Sequence, residues 1–335
     1  MHSMTRTLKT ILICLTLLSL SACCSSMSKL IDSGDVVPAR AATRPPPAGP
    51  FRVEQALAVV HDPARNRDIP IRIYAPAGVT GLLPVVLFSH GIGESRDSYV
   101  YLGNEWASHG YVAIHLTHAG TDKAVLEKGY LALYRATKKP ENWRNRPLDV
   151  SRVIDRMLDR SEPLPLIGGR LDPSRIAAAG HSAGAFTALA LVGLRVGGQD
   201  LSDPRVKVAV AMSMPKMGGV VGNDAYASIH VPTLHMTGTC DGSIIYRTRP
   251  KDRRTPFTQS SGPDDYLVTF EGVDHNTFSN PDPGDGSRNV RHRWIREITT
   301  TFLDAYLRGE PEARAWFAEG GLSAAGSATL VVEKK

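Results

Sequence analysis

Hydrophobic positions along this chain keep two alternating rhythms. Residues 83–89 form a continuous apolar run, as expected of a strand buried on both faces. Residues 111–116, 206–212, 231–237 and 266–270 read the same way. Between these runs, apolar residues recur at helical spacing. Residues 99–109 make one such stretch, closed by Gly110. Val150, Val153, Ile154, Met157 and Leu158 mark one face of a second. Trp294, Ile295, Ile298, Phe302, Ala305 and Tyr306 stripe a third, which Gly309 ends. Ahead of all of them, residues 53–60 and 69–74 read as two antiparallel strands joined by the turn signal Asp62-Pro63-Ala64-Arg65-Asn66-Arg67. This alternation predicts an α/β fold, with a mostly parallel central sheet and helices on both faces.

The rhythm fails in two places. Residues 118–146 are long and polar, yet hold Tyr130, Tyr134 and Trp143; they read as an insertion forming a lid or pocket wall. The N-terminus fails differently. Arg6 and Lys9 precede a short apolar core at 11–20, and Leu20-Ser21-Ala22-Cys23 follows. Residues 1–22 therefore read as a secretory signal peptide with a bacterial lipobox, too short to span a membrane. Cys23 becomes the lipidated first residue, or Cys24 if the cut falls one position on. The expectation is an exported, palmitate-bearing lipoprotein, held peripherally at a membrane of the cell envelope, periplasmic or outer. Residues 23–50, with Arg44-Pro45-Pro46-Pro47-Ala48-Gly49-Pro50, read as an extended tether. The folded catalytic domain is expected over 51–335.

Composition narrows the classes. At 335 residues, 42% hydrophobic and 21% charged, the chain is an ordinary globular protein. The net charge is +6, but Lys and Arg are scattered and form no stripe interleaved with aromatics, which argues against a nucleic-acid partner. Of four cysteines, Cys14 and Cys23 belong to the leader and its end, so no structural disulfide is expected and Cys240 reads as a small buried hydrophobe. The basic run at 247–254 reads as a solvated loop.

Chemistry concentrates at Gly180-His181-Ser182-Ala183-Gly184. A β-like run precedes this motif and an alanine-rich helical run follows, the setting of a nucleophile elbow. Glycine at 180 and 184 allows the tight strand-to-helix turn that lifts Ser182 to a helix N-terminus. A serine hydroxyl needs a base, and the base an orienting acid. His275 follows the last apolar strand and has the position for the base; His230, His235 and His292 do not. Asp241, in Cys240-Asp241-Gly242 at the end of the preceding strand, has the position for the acid, with Asp224 in reserve. Asp274 is too close to His275 along the chain and reads as shaping its loop. The oxyanion donors are expected to be the amides of Ala183 and Ile92, with Gly93 next. His90, Gly91, Gly93 and His181 flank those donors and are expected to bind substrate. No metal or other cofactor is expected. His115-Leu116-Thr117-His118 lacks a carboxylate, no Cys/His cluster or phosphate loop exists, and Asp282 with Asp285 gives an incomplete calcium pattern.

With these residues in place, a family resemblance emerges. Residues 51–309 resemble bacterial α/β-hydrolases of the dienelactone-hydrolase-like group, are similar to secreted platelet-activating-factor acetylhydrolases and, more distantly, to cutinase-type polyester hydrolases. The matching pieces are Phe88-Ser89-His90-Gly91-Ile92-Gly93-Glu94, the elbow, the run 231–241 and Gly272-Val273-Asp274-His275. The resemblance implies a Ser182–Asp241–His275 triad and a metal-free serine carboxylesterase working through an acyl-enzyme. Its substrate would be a small-molecule or lipid ester. Dienelactone hydrolases proper use a cysteine nucleophile, and cutinase-type enzymes usually carry a disulfide. A lipase-, phospholipase- or polyester-hydrolase-like enzyme is the alternative, and a non-catalytic envelope lipoprotein of the same fold stands behind both.

Overall fold

Strand β3 (Leu83–Ser89) is buried along its whole length, and its side chains show why. Val85 and Leu87 enter one hydrophobic core, while Val86 and Phe88 enter another on the opposite face. A strand covered on both sides lies mid-sheet, and β3 does. A computed structural model describes residues 49–218, 220–222, 224–279, 286–318 and 330–335. Their strands are β1 (Val53–Asp62), β2 (Arg67–Pro76), β3, β4 (Val112–Leu116), β5 (Leu171–His181), β6 (Val206–Met212), β7 (Thr233–Cys240), β8 (Asp265–Asp274) and β9 (Leu330–Lys334). They form one sheet in the order β1-β2-β4-β3-β5-β6-β7-β8-β9. From β4 to β8 all neighbours are parallel; β1, β2 and β9 pair antiparallel at the two ends. This is the α/β-hydrolase fold.

The helices are α1 (Val100–Ser108), α2 (Lys123–Leu126), α3 (Tyr130–Ala136), α4 (Pro140–Leu158), α5 (Ala183–Ala190), α6 (Thr255–Gln259), α7 (Gly286–Leu303) and α8 (Pro311–Ala318). Trp106 of α1 joins Ile298 and Phe302 of α7 in one core; Val150 of α4 joins Phe186 of α5 in the other. The sheet is therefore covered on both faces, as parallel strands require. A turn of π-helix, Asp304–Arg308, extends α7 and stops at Gly309, which sits at φ 78°.

Three features depart from the reading of the sequence. First, the 118–146 insertion is largely helical. It contains α2, α3 and the opening turns of α4, whose first residue is Pro140. Trp143 is 1% exposed and packs edge-on against Phe186 with ring centres 5.3 Å apart, yet it also lines a cavity with Tyr134, as the pocket-wall reading expects. Second, β9 adds an edge strand, pairing from Tyr266↔Lys334 to Phe270↔Leu330. Third, Cys240 is disulfide-bonded rather than a lone buried thiol, and its partner lies outside the described residues. The leader, the lipobox with Cys23, most of the tether, and Asp282 with Asp285 also lie outside them. No helix among the described residues is long and apolar enough to cross a membrane.

Candidate active site

The elbow is built by backbone contact. Ser182 follows β5, caps α5 and sits at φ 54°, ψ −117°, a conformation that side-chain-bearing residues rarely hold. A Cβ on Gly180 would lie 2.3 Å from the carbonyl carbon of Gly184, and one on Gly184 only 1.7 Å from Ser89 O. Neither position can be anything but glycine without moving α5. Ser182 N donates to Met212 O at 2.9 Å, which ties the strained residue to the end of β6.

Three distant side chains meet there. Ser182 Oγ lies 3.0 Å from His275 Nε2, and His275 Nδ1 lies 2.9 Å from Asp241 Oδ1. His275 opens the 3₁₀ turn His275–Phe278, which Asp274 caps by accepting from Thr277 N at 2.8 Å. Ser182 is 2% exposed, whereas the His275 side chain keeps 20% of its surface. Asp241 is fully buried, with Oδ2 accepting from Thr237 Oγ1 at 2.9 Å and from the Ser213 hydroxyl. Burial alone would raise its carboxyl, but the His275 hydrogen bond and the Arg253 charge hold it down at about 2. Asp224 is exposed and makes no contact with this group.

The loop after β3 passes beside Ser182: a Cβ on Gly91 would lie 3.5 Å from Ser182 Cβ. Its amides are differently employed. Gly91 N donates to Glu94 Oε2 at 2.9 Å and Gly93 N to Thr121 O at 2.8 Å. The amides of Ile92 and Ala183 have no partner among the described residues. Both therefore remain available to an anion between this loop and the start of α5, while Gly93 N, already bonded, drops out as the reserve.

Two expected substrate contacts are corrected. His90 is fully buried: its Nδ1 bonds Gly91 O and its Nε2 accepts from His118 N at 3.0 Å. Burial and the nearby Arg146 keep it neutral. His181 is also buried. Its ring packs 4.6 Å from that of His275, and its Nδ1 lies 2.6 Å from Tyr99 Oη, which donates in turn to Glu94 Oε2. Both rings brace the site from behind rather than facing a substrate. Arg253, read as part of a solvated run, is buried as well.

A second serine–histidine–aspartate chain lies beneath the same loop. His118 Nε2 is 3.0 Å from Ser89 Oγ, and its Nδ1 is 3.0 Å from Asp149 Oδ2. It differs in surroundings. The His118 side chain is wholly enclosed, burial brings it down to about 4, and Asp149 is ion-paired to Arg65 and Arg67. Ser89 is the last residue of β3 and, unlike Ser182, caps no helix. Arg146, fully buried, donates from Nε to Thr187 Oγ1 at 2.9 Å and from Nη1 to Thr121 Oγ1 at 2.8 Å, and also bonds His90 O. Residues from 118–146 thus clamp the loop that carries Ile92. Among the described residues no group of three or more His, Cys, Asp or Glu is arranged to hold a metal ion.

Residues 57–143 match the family model described as "Platelet-activating factor acetylhydrolase, isoform II". Residues 175–259 match the one described as "Serine hydrolase (FSH1)". The first contains the Ile92 loop and the second the elbow and Asp241; His275 lies beyond both. A guinea-pig (Cavia porcellus) platelet-activating factor acetylhydrolase is 27% identical over 193 residues, covering 49% of this chain. The match spans 42% of that relative's own length. Both matched segments fall within the α/β-hydrolase fold that the sheet order shows, and the second matched model describes a serine hydrolase.

The elbow geometry sets a stability test. Gly184→Ala is expected to cost about 3 kcal/mol, the upper end of overpacking, read from chemical denaturation. Gly218→Ala serves as the control, because a Cβ there meets nothing within 4 Å. Equal stability of the two variants would remove the close crossing of α5 and β3 as the constraint.

Proposed function

We propose that this chain is an exported serine carboxylesterase acting through an acyl-enzyme, with Ser182 as nucleophile, His275 as base and Asp241 as orienting acid. One observation carries the reading: the unbroken hydrogen-bond chain from Ser182 Oγ through His275 to a buried, ionised Asp241, set on a strained elbow. His275 Nε2 takes the Ser182 proton as Oγ attacks the ester carbonyl. The new oxyanion accepts from the amides of Ile92 and Ala183. His275 returns its proton to the departing alcohol. A water then attacks the acyl-serine, gives its proton to His275, and the acid leaves as Ser182 recovers its hydrogen. Ser182→Ala is expected to lower kcat for p-nitrophenyl acetate by roughly 10⁴-fold or more and to abolish fluorophosphonate labelling, with the fold retained. Undiminished turnover in that variant excludes the mechanism, and an unlabelled native protein favours the non-catalytic alternative.

A second reading narrows the substrate to lipid-like or polymeric esters. At the carboxyl edge of the sheet, between α3, α4 and the loops after β6 and β7, lies a cavity of about 650 Å³. Tyr134, Met217 and Ile244 give it apolar walls, and Lys138, Lys216 and Arg247 line it too. Of these walls Ile244 is 75% and Tyr134 47% exposed, an apolar surface suited to an amphiphile. Ser182 is not one of its walls. This reading expects kcat/KM to climb with acyl length in a p-nitrophenyl ester series. A preference for acetyl or butyryl rules it out.

Membrane attachment is part of the proposal and rests on residues 1–23 alone. Cys23→Ala is expected to stop palmitate incorporation and release the protein from the membrane fraction. Unchanged fractionation would count against the anchor.

A further inference from the structure

Behind the Ser182–His275–Asp241 chain stands a buried cation. Arg253 belongs to the 3₁₀ turn Pro250–Arg254 that leads into α6, and its side chain is fully enclosed. Its Nη1 donates to Ser213 O at 2.6 Å and its Nε to Asp241 O at 3.1 Å. Its Nη2 lies 3.1 Å from Asp241 Oδ1 and 3.0 Å from His275 Nδ1. With Nδ1 itself 2.9 Å from Oδ1, the three atoms close a nearly equilateral triangle.

That triangle admits two hydrogen-bond patterns, because a guanidinium only donates. If His275 Nδ1 accepts from Arg253, the ring carries its proton on Nε2, facing Ser182 Oγ, and cannot take the serine proton. If Nδ1–H donates to Asp241 Oδ1, Arg253 Nη2 donates to the same oxygen and Nε2 stays open to Ser182. The second pattern fills the carboxylate: two donors on Oδ1, and Ser213 with Thr237 on Oδ2. The first leaves Oδ1 with one donor in a site without water contact, which is costly.

We propose that Arg253 is a positioning residue that selects the productive tautomer of His275 and opposes protonation of its ring. It turns the Asp241 carboxylate toward Nδ1 by bridging Asp241 O and Ser213 O, and it sets a fixed positive charge 3.0 Å from the ring. The other groups facing His275 are Asp241 from the loop after β7, His181 from the end of β5, and Glu94 from the loop after β3. His181 is held neutral by burial. The Arg253 charge therefore opposes that of Asp241 at the ring. The inference rests on the reading of His275 as the base for Ser182.

The test is the pH dependence of kcat/KM for a soluble ester. Removing the charge makes ring protonation easier, so Arg253→Met and Arg253→Gln are expected to move the acid limb upward by about one pH unit. Arg253→Lys keeps the charge and is expected to leave the limb in place while lowering kcat through lost bridging. A limb in the Met and Gln variants that coincides with the unaltered protein's overturns the proposal, whatever happens to kcat. Should those variants not fold, ¹⁵N spectra of the histidine rings in the unaltered protein decide. A neutral His275 with its proton on Nδ1 is expected; a proton on Nε2 overturns the proposal. Ester turnover and fluorophosphonate labelling of the unaltered protein report on the parent reading separately. If both fail, that reading falls and this one with it; if both hold and the limb stays put, only the role of Arg253 falls.

Discussion

Two backbones pass unusually close at the centre of this molecule, and the site depends on that crossing. Gly184 brings α5 directly against the carbonyl of Ser89 at the end of β3, where any side chain would intervene. Because the crossing lies at the exit of β3, the loop that follows must leave beside Ser182. The unpartnered amides of Ile92 and Ala183 are thereby brought to one serine from segments about 90 residues apart in sequence. A displacement of α5 by even an ångström would part Ser182 from those amides, and in the proposed mechanism misplacement on that scale costs rate steeply. The helix that makes the crossing is rich in alanine and buried throughout, so little side-chain volume stands between it and the sheet.

Around this crossing the protein buries charged side chains. Arg146, Arg253, Asp149 and Asp241 are all enclosed. Charges taken out of water are expensive unless every donor and acceptor is met. Here the partners come from separate elements: Arg253 joins the loops after β6 and β7, and Arg146 joins α4 to α5 and to the loop after β3. Each buried cation is a cross-link between pieces that must hold still together. The cost is spent where geometry matters, since a satisfied polar network fixes distances more tightly than apolar contact does. The chains Ser182–His275–Asp241 and Ser89–His118–Asp149 share residue types and connectivity. Their surroundings separate them: one has an exposed ring edge and a helix N-terminus, while the other is sealed and ion-paired.

Much of this was legible in advance. The period-two division of β3 between two cores follows from an unbroken apolar run, and the elbow from two glycines bracketing a serine at a strand-to-helix junction. The positions of Asp241 and His275 followed from counting strands. What failed to show was partnership. His90 and His181 stand in the motifs that carry the chemistry, yet both rings turn inward to brace it. Arg253 stands in a basic run that reads as solvated, and Arg146 in a segment that reads as a lid or pocket wall. No local pattern distinguishes a buried arginine from an exposed one. The edge strand β9 is five residues of mixed polarity and has no rhythm to announce it.

The sequence by itself determined the alternation of the core strands and helices, the strained turn at Ser182 and the glycines that permit it. These depend on the steric and burial demands of adjacent residues, which adjacent residues must satisfy. Tertiary structure alone decided which imidazoles face the serine, which arginines lose their water, and which amides are left over to receive an anion. Those outcomes depend on what arrives from a hundred residues away. A polar side chain accepts burial only when a distant partner completes its hydrogen bonds, and composition or spacing along the chain carries no record of that partner.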